Sequence, residues 1–140
     1  DRNVWHDAGG FRKVPFAFDK DGKLYNHETG TSDDGSAMNA FIETGDVELD
    51  NTGENLFMID KIIPDTTMTS NTNLFLQLKT RKYPTAPEIT KGAFTVTSTT
   101  EKISTRAKGR QIAVKFFSTG TTDEWSLGDF RVNARKDTLR

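Results

Sequence analysis

Along much of this chain apolar and polar residues alternate one for one. In "NLFLQLKTRK", Leu74, Leu76 and Leu78 fall on one side of an extended backbone, and Phe75, Gln77, Lys79 and Arg81 on the other. In "RQIAVKFFS", Ile112, Val114 and Phe116 alternate with Gln111, Ala113, Lys115 and Phe117. "DFRVNARK" sets Phe130, Val132 and Ala134 against Arg131, Asn133 and Arg135. A period of two buries one side of a strand and wets the other, so these stretches predict half-buried antiparallel strands. No stretch holds a helical period over three turns. Weaker strands are expected at 14–18, 23–27, 39–44, 47–49, 55–63, 93–99 and 101–105. Turn signals separate them: Asp21-Gly22, Thr44-Gly45, Asn51-Thr52-Gly53, Pro64-Asp65, Tyr83-Pro84, Lys91-Gly92, Lys108-Gly109 and Thr119-Gly120. Short strands at this spacing predict an all-β fold, an antiparallel β-sandwich preceded by a β-hairpin.

The polar stretch "HETGTSDDGSAMN" (27–39) reads as a connector. It places an N-terminal hairpin and connector at 1–34 and the sandwich at 35–140. Near the other end, "DEWSLGDFR" (123–131) holds one of the two tryptophans. Ser118 to Asp123 form a polar loop before it, and Gly128 interrupts the alternation after it. A β-bulge at Gly128 shifts the inward face by one position, turning Trp125 and Leu127 inward before it and Phe130 onward inward after it. Trp125 and Phe130 are then core anchors, the indole N–H seeking a carbonyl, within a final hairpin spanning 111–135.

Composition supports strands: there are twenty threonines, and branched side chains suit a pleated surface. A chain of 140 residues is one domain, or one domain with an arm. It contains no cysteine, which excludes thiol nucleophiles and zinc ribbons. No apolar run approaches the ~20 residues of a membrane helix. The start Asp1-Arg2-Asn3, without Met, reads as that of a fragment or processed chain. Charge divides the sequence. Residues 1–70 hold six Lys/Arg against fourteen Asp/Glu, a balance of −8, and residues 71–140 hold thirteen against six, a balance of +7. Such a split suits charge-complementary packing between halves or between neighbouring subunits, and equally two solvated faces.

Catalytic chemistry finds no foothold. His6 and His27 cannot make an HExxH site, and His27 beside Glu28 offers one imidazole only. Asp19, Asp21 and Gly22 begin like a calcium loop, but Leu24 and Gly30 stand where the loop needs glycine and glutamate. Asp46, Glu48, Asp50 and Glu54 surround a turn and read as a solvated acidic hairpin ahead of a calcium site. No GxSxG and no phosphate-cradling glycine loop occurs. The expectation is a non-enzyme with no metal and no cofactor. The basic stretches "KTRK" (79–82) and "RAKGR" (106–110), with Arg131, Arg135, Lys136 and Arg140, are expected to form one cationic surface. Little aromatic interleaving accompanies them, which disfavours a base-stacking platform.

In order, "DKDGKLYNHETG", "FIETGDVEL", "KIIPD", "STRAKGRQIAVKF" and "WSLGDFRVNARKD" resemble the C-terminal part of packaged-DNA stabilisation or tail-hub (nozzle) proteins of short-tailed bacteriophages. The resemblance spans nearly the whole chain, and "RAKGRQ" and W-x-L-G-x-x-R are its most specific pieces. It implies a structural virion protein, assembled in the host cytoplasm into a tail ring below the portal that retains packaged DNA. It also implies a propeller-like body upstream, with residues 1–27 as its last strands; the chain lacks that body. Partners would be further copies, other tail or portal proteins and the DNA backbone, with Arg81, Lys82, Arg106, Lys108 and Arg110 at the interface. Two other classes stay open. A carbohydrate-binding sandwich of a tail spike or adhesin would need Trp125 or Tyr83 exposed, and a polysaccharide-degrading enzyme would need two acids facing one groove.

Overall fold

The computed structural model describes residues 2–10, 12–50 and 52–137. Within them the chain is all-β and its strands pair antiparallel. It divides into two compact units, 1–31 and 32–140.

The first unit is a three-stranded sheet of β1 (Arg2–His6), β2 (Phe16–Asp19) and β3 (Leu24–Asn26) in that order. The expected hairpin is its β2–β3 half, and β1, which the alternation did not reveal, pairs with β2. Asp19 builds the turn between β2 and β3. Its carboxylate accepts the N–H groups of Asp21 and Lys23 at 2.8 and 2.9 Å, and the bond from Lys23 in particular holds this carboxyl below its ordinary pKa. Aromatic rings cluster at the other end of the hairpin. His6 stacks on Phe16 at 5.1 Å, and Trp5 meets His27 at 4.4 Å.

The second unit opens with a small hairpin, β4 (Ser32–Asp33) and β5 (Ser36–Ala37). Its two-residue turn takes positive φ at both Asp34 and Gly35, as a twisted tight hairpin requires. The strands that follow are β6 (Ala40–Glu43), β7 (Val47–Glu48), β8 (Phe57–Ile63), β9 (Thr66–Met68), β10 (Leu74–Arg81), β11 (Ile89–Val96), β12 (Ile103–Gly109), β13 (Gln111–Ser118), β14 (Trp125–Leu127) and β15 (Arg131–Lys136). They form two layers. The wide sheet runs β11-β10-β13-β6, with β7 following β6 along the same side of β13. The narrow sheet runs β12-β8-β15, and the pair β9–β14 prolongs its β8 and β15.

The inner faces are those the alternation predicts. Leu74, Leu76 and Leu78 of β10 meet Ile112, Val114 and Phe116 of β13 and Ile59 and Ile62 of β8 in one buried cluster. Val96, Ile103 and Ala107 complete it. Each large side chain removed from water here contributes about 1.5–3 kcal/mol, so this cluster holds the layers together.

The expected final hairpin is not one. β13 belongs to the wide sheet and β14–β15 to the narrow one, so residues 118–124 arch across the core instead of returning beside β13. Both strands turn apolar faces toward the same core, and facing layers satisfy them as well as neighbouring strands would. The arch is pinned at its polar residues. Asp123 accepts the N–H groups of Gly120 and Asn73, and the Thr72 hydroxyl bridges the N–H and carbonyl of Glu124 at 3.1 and 2.9 Å.

One further turn signal is overturned, and another marks a change of sheet between two strands. Lys91-Gly92 lies inside β11, where the pairing with β10 shifts register between Leu76 and Leu78, so a bulge absorbs the glycine. Lys108-Gly109 ends β12 at the point where the chain passes from the narrow sheet into the wide one.

Candidate functional site

Phe117 pairs with Phe75 on one side and with Phe41 on the other, so three phenylalanines cross the outer face of the wide sheet in one row. Phe75 and Phe117 are 5.4 Å apart between centroids, and the Lys115 ammonium sits 4.7 Å from the Phe41 ring. Cross-strand aromatic pairs and a cation over a ring each add a modest stabilisation. Beside Phe41 lies a hollow of about 300 Å³, lined by Asn39, Ala40, Lys115, Phe117 and Thr119 among others.

The next rows are charged. Glu43 on β6 binds Lys79 and lies 3.7 Å from Lys115. Lys79 also reaches Glu88 at 3.6 Å. The Lys79 hydrogen bond holds the Glu43 carboxyl below its ordinary value near 4.5, and the same bond lifts Lys79 above 10.5. Stability from Glu43 is therefore complete above about pH 5 and is lost as pH falls through its lowered pKa, while that from Lys79 is lost as pH rises through its raised one. Glu43→Gln is expected to cost about 0.5 kcal/mol at neutral pH, as a solvent-screened pair does. The gap between the denaturation midpoints of parent and variant should close as pH falls through the lowered Glu43 pKa, and a gap undiminished once that carboxyl is protonated would rule out the ion pair as its cause.

The row of phenylalanines ends at an open edge. β6 and β7 have no strand on their far side among the described residues. Phe41 is 61% exposed, Ile42 48% and Val47 51%. Thr44 lies between the two strands. Its hydroxyl accepts the Val114 N–H at 3.0 Å in place of a backbone carbonyl, while its own N–H donates to the Val114 carbonyl.

The basic residues are divided between the two layers of the sandwich, and some of them meet where the chain crosses at Arg110. Arg81 and Lys82 belong to the wide sheet and its following loop, whereas 106–109 and 131–136 flank β8 in the narrow sheet. Arg81 lies 3.3 Å from both Asp46 and Glu88, and Lys108 pairs with Asp137. Arg110 marks the crossing between sheets. Its N–H donates to the Arg81 carbonyl at 2.8 Å, and its guanidinium donates to the carbonyls of Glu54 and Lys82 at 3.1 and 2.9 Å. Of the five expected interface cations, Lys82 and Arg106 have exposed side chains, and the other three are engaged within the chain. Arg140 lies outside the described residues.

Trp125 packs half-buried against the core with Leu127, Phe130, Val132 and Ala134. Its indole N–H donates to the Ser118 hydroxyl at 2.9 Å, where a carbonyl was expected. Its flank lines a hollow of about 280 Å³ with Thr67, Met68, Thr69, Glu124 and Ser126. Between β14 and β15 the pairing gains one residue relative to β8–β9, which is the bulge expected at Gly128. The Gly128 N–H donates to the Asp65 carbonyl at 2.8 Å, and a Cβ there would run into the Asp65 carboxylate. Tyr83 is exposed on the loop after β10.

Asp50 holds the tip of the acidic turn. Asp50 accepts the Gly53 N–H and the Asn55 amide, each at 2.6 Å, and the Asn55 bond above all holds its carboxyl below the ordinary range. Asn51 of that turn lies outside the described residues. No group of three or more His, Cys, Asp or Glu side chains converges as a metal site would require among the described residues. No helix there is long and apolar enough to cross a membrane. No protein-family model matches the chain, and no curated protein sequence matches it.

Sequence reading missed the open edge as a site. The signal was the adjacent pair Phe41-Ile42 in a four-residue strand. Consecutive apolar residues on a strand face opposite ways, so both faces of this edge are apolar.

Proposed function

We propose that the chain is a structural subunit that self-associates through its sandwich, of the kind that builds a tail ring in a short-tailed phage particle. The observation that carries this reading is the open edge β6–β7, with Phe41, Ile42 and Val47 standing about half exposed or more. Free-standing β proteins blunt such edges with lysine, proline or covering loops. Residues 38–49 contain no Lys, Arg or Pro, so the acids Glu43, Asp46 and Glu48, the shortness of the strands and the irregularity at Thr44 are what blunt this one. Placement in a virion tail rests on the resemblance. Its two most specific stretches have structural work here: "RAKGRQ" makes the crossing at Arg110, and W-x-L-G-x-x-R makes the bulged strand of Trp125. Within such a ring the chain would help join head to tail and retain packaged DNA.

Sedimentation velocity on the full chain tests this reading. Association is expected to rise with concentration and to disappear in Phe41→Lys/Ile42→Lys, whose thermal midpoint should stay near the parent's because both side chains are already exposed. A chain that remains monomeric at every accessible concentration ends the reading. Glycan binding by that monomer would move the chain to the carbohydrate-binding class.

A further inference from the structure

The wide sheet overhangs the narrow one at both of its edges. Phe94 and Val96 of β11 pack into the core, but four strand positions face three, and other side chains on the inner side of the outermost strands lack a covering layer. At one edge these are Ile42 and Val47, and at the other Ile89, 45% exposed on β11. The pairing register relates them. Val47 pairs with Ile112, Ile112 with Thr80, and Thr80 with Ile89, so Val47 and Ile89 end the same row. Ile42 and Phe94 likewise end the row that runs through Phe116 and Leu76.

Strand direction adds a second constraint. β6 is antiparallel to β13, β13 to β10 and β10 to β11, so the two edge strands run in opposite directions. A second copy rotated about an axis along the strands therefore presents its β11 antiparallel to the first copy's β6, and the sheet continues with its alternation unbroken. That contact is heterologous, and repeated rotation closes it into a ring where the angle divides a full turn.

Charge distinguishes this from an edge meeting its own likeness. Residues 38–50 hold Glu43, Asp46, Glu48 and Asp50 with no cation, so β6 against β6 sets acid beside acid. β11 brings Lys91, and Lys82 begins the loop before it; Glu88 in that loop is already bound to Lys79 and Arg81. Opposite potentials favour the mixed contact and fix its direction.

We infer that copies of this chain join head to tail, the β6–β7 edge of one adding to the β11 edge of the next, so that Ile42 and Val47 are covered by Ile89 and its neighbours. This rests on the self-association reading above and names its interface.

Complementation by two full-length variants tests it. Ile42→Glu/Val47→Glu blocks the first edge by placing carboxylates where Ile and Val would be covered, and leaves β11 open, while Ile89→Glu/Thr95→Glu sets acid against Glu43 and Glu48 and leaves β6 open. Every substituted side chain is exposed, and circular dichroism with thermal melting checks that each variant is folded. Sedimentation should show each variant monomeric alone and a one-to-one dimer, growing no further, when the two are mixed. Dimers of the β11-blocked variant alone would mean β6 meets β6, and association of the β6-blocked variant alone would mean that β6 is not needed. Either result overturns the inference while leaving self-association intact, as does a monomeric mixture beside an associating parent. If a misfolded variant prevents the comparison, Thr95→Glu alone, at a solvent-facing position, should still weaken association of the parent at least tenfold, and unchanged association would overturn the inference. A parent that never associates sinks both readings.

Discussion

Replacing Phe116 with alanine is expected to destabilise the sandwich by about 4 kcal/mol, the cost of deleting a buried aromatic ring whose surroundings relax only partly. Phe116 is 1% exposed. It lies on β13, in the middle of the wide sheet, and its ring is 5.6 Å from that of Phe130, which belongs to the connection between β14 and β15. The side chain therefore joins the layers across the core. A marginally stable domain has about 5–15 kcal/mol in all, so the variant should unfold at much lower urea. Equilibrium urea denaturation of parent and variant measures the difference. Phe117→Ala is the internal control: its ring lies on the outer face, half-buried against Phe75, and its loss should cost roughly a third as much. Equal losses would mean that the two faces of β13 are wrongly assigned.

That contrast reaches back to what alternation can reveal. The face of each strong strand was legible, because burial follows a period of two whatever the strand's neighbours. Leu74, Leu76 and Leu78 are fully buried, and Ile112, Val114 and Phe116 nearly so. The displaced face around Gly128 was legible for the same reason, since one glycine interrupts an otherwise regular pattern. Partnership was not. Alternation along β13 and β15 reports that each turns one side to a core, and says nothing of whether they are neighbours in a sheet or opposite one another across it. The arch at 118–124 therefore looked like a hairpin loop.

Other misses have local causes. β9 has three residues, and β1 mixes polar and aromatic positions. The glycine in β11 looked like punctuation because a bulge and a turn share the same residue preference. Charge misled most. "KTRK" and "RAKGR" are close in sequence character, yet β10 and β12 belong to opposite layers. Arg110 is consumed by carbonyls where the chain crosses between them. The site proposed here depends on an absence of neighbours at a sheet edge, and only strand order supplies that.

Trp125→Ala is expected to cost about 3 kcal/mol, the lower end for a large aromatic, because one flank of the indole faces the open hollow beside Glu124 and Ser126. Two contributions can be separated. Trp125→Phe keeps an aromatic ring against Met68 and Leu127 but removes the N–H that donates to Ser118. The Ser118 hydroxyl is buried, and losing one hydrogen-bond partner there costs about 1 kcal/mol. Stability should therefore fall in the order parent, Trp125→Phe, Trp125→Ala, with the larger step at the loss of the ring. The two flanks of Trp125 give the measurement a second use. If the indole serves the fold, Trp125→Ala loses stability, and in a Trp5→Phe background, which removes the exposed second tryptophan, the Trp125 emission is quenched only partly by acrylamide. If it serves a ligand, the variant keeps the parent's stability and loses retention on immobilised glycan. Phe130 stands beside Phe116 in the same core, so the bulged strand already has an aromatic anchor of its own. A stable Trp125→Ala would show that this second anchor suffices, and would give the hollow at Thr67 and Glu124 the role in binding that the sheet edge otherwise holds.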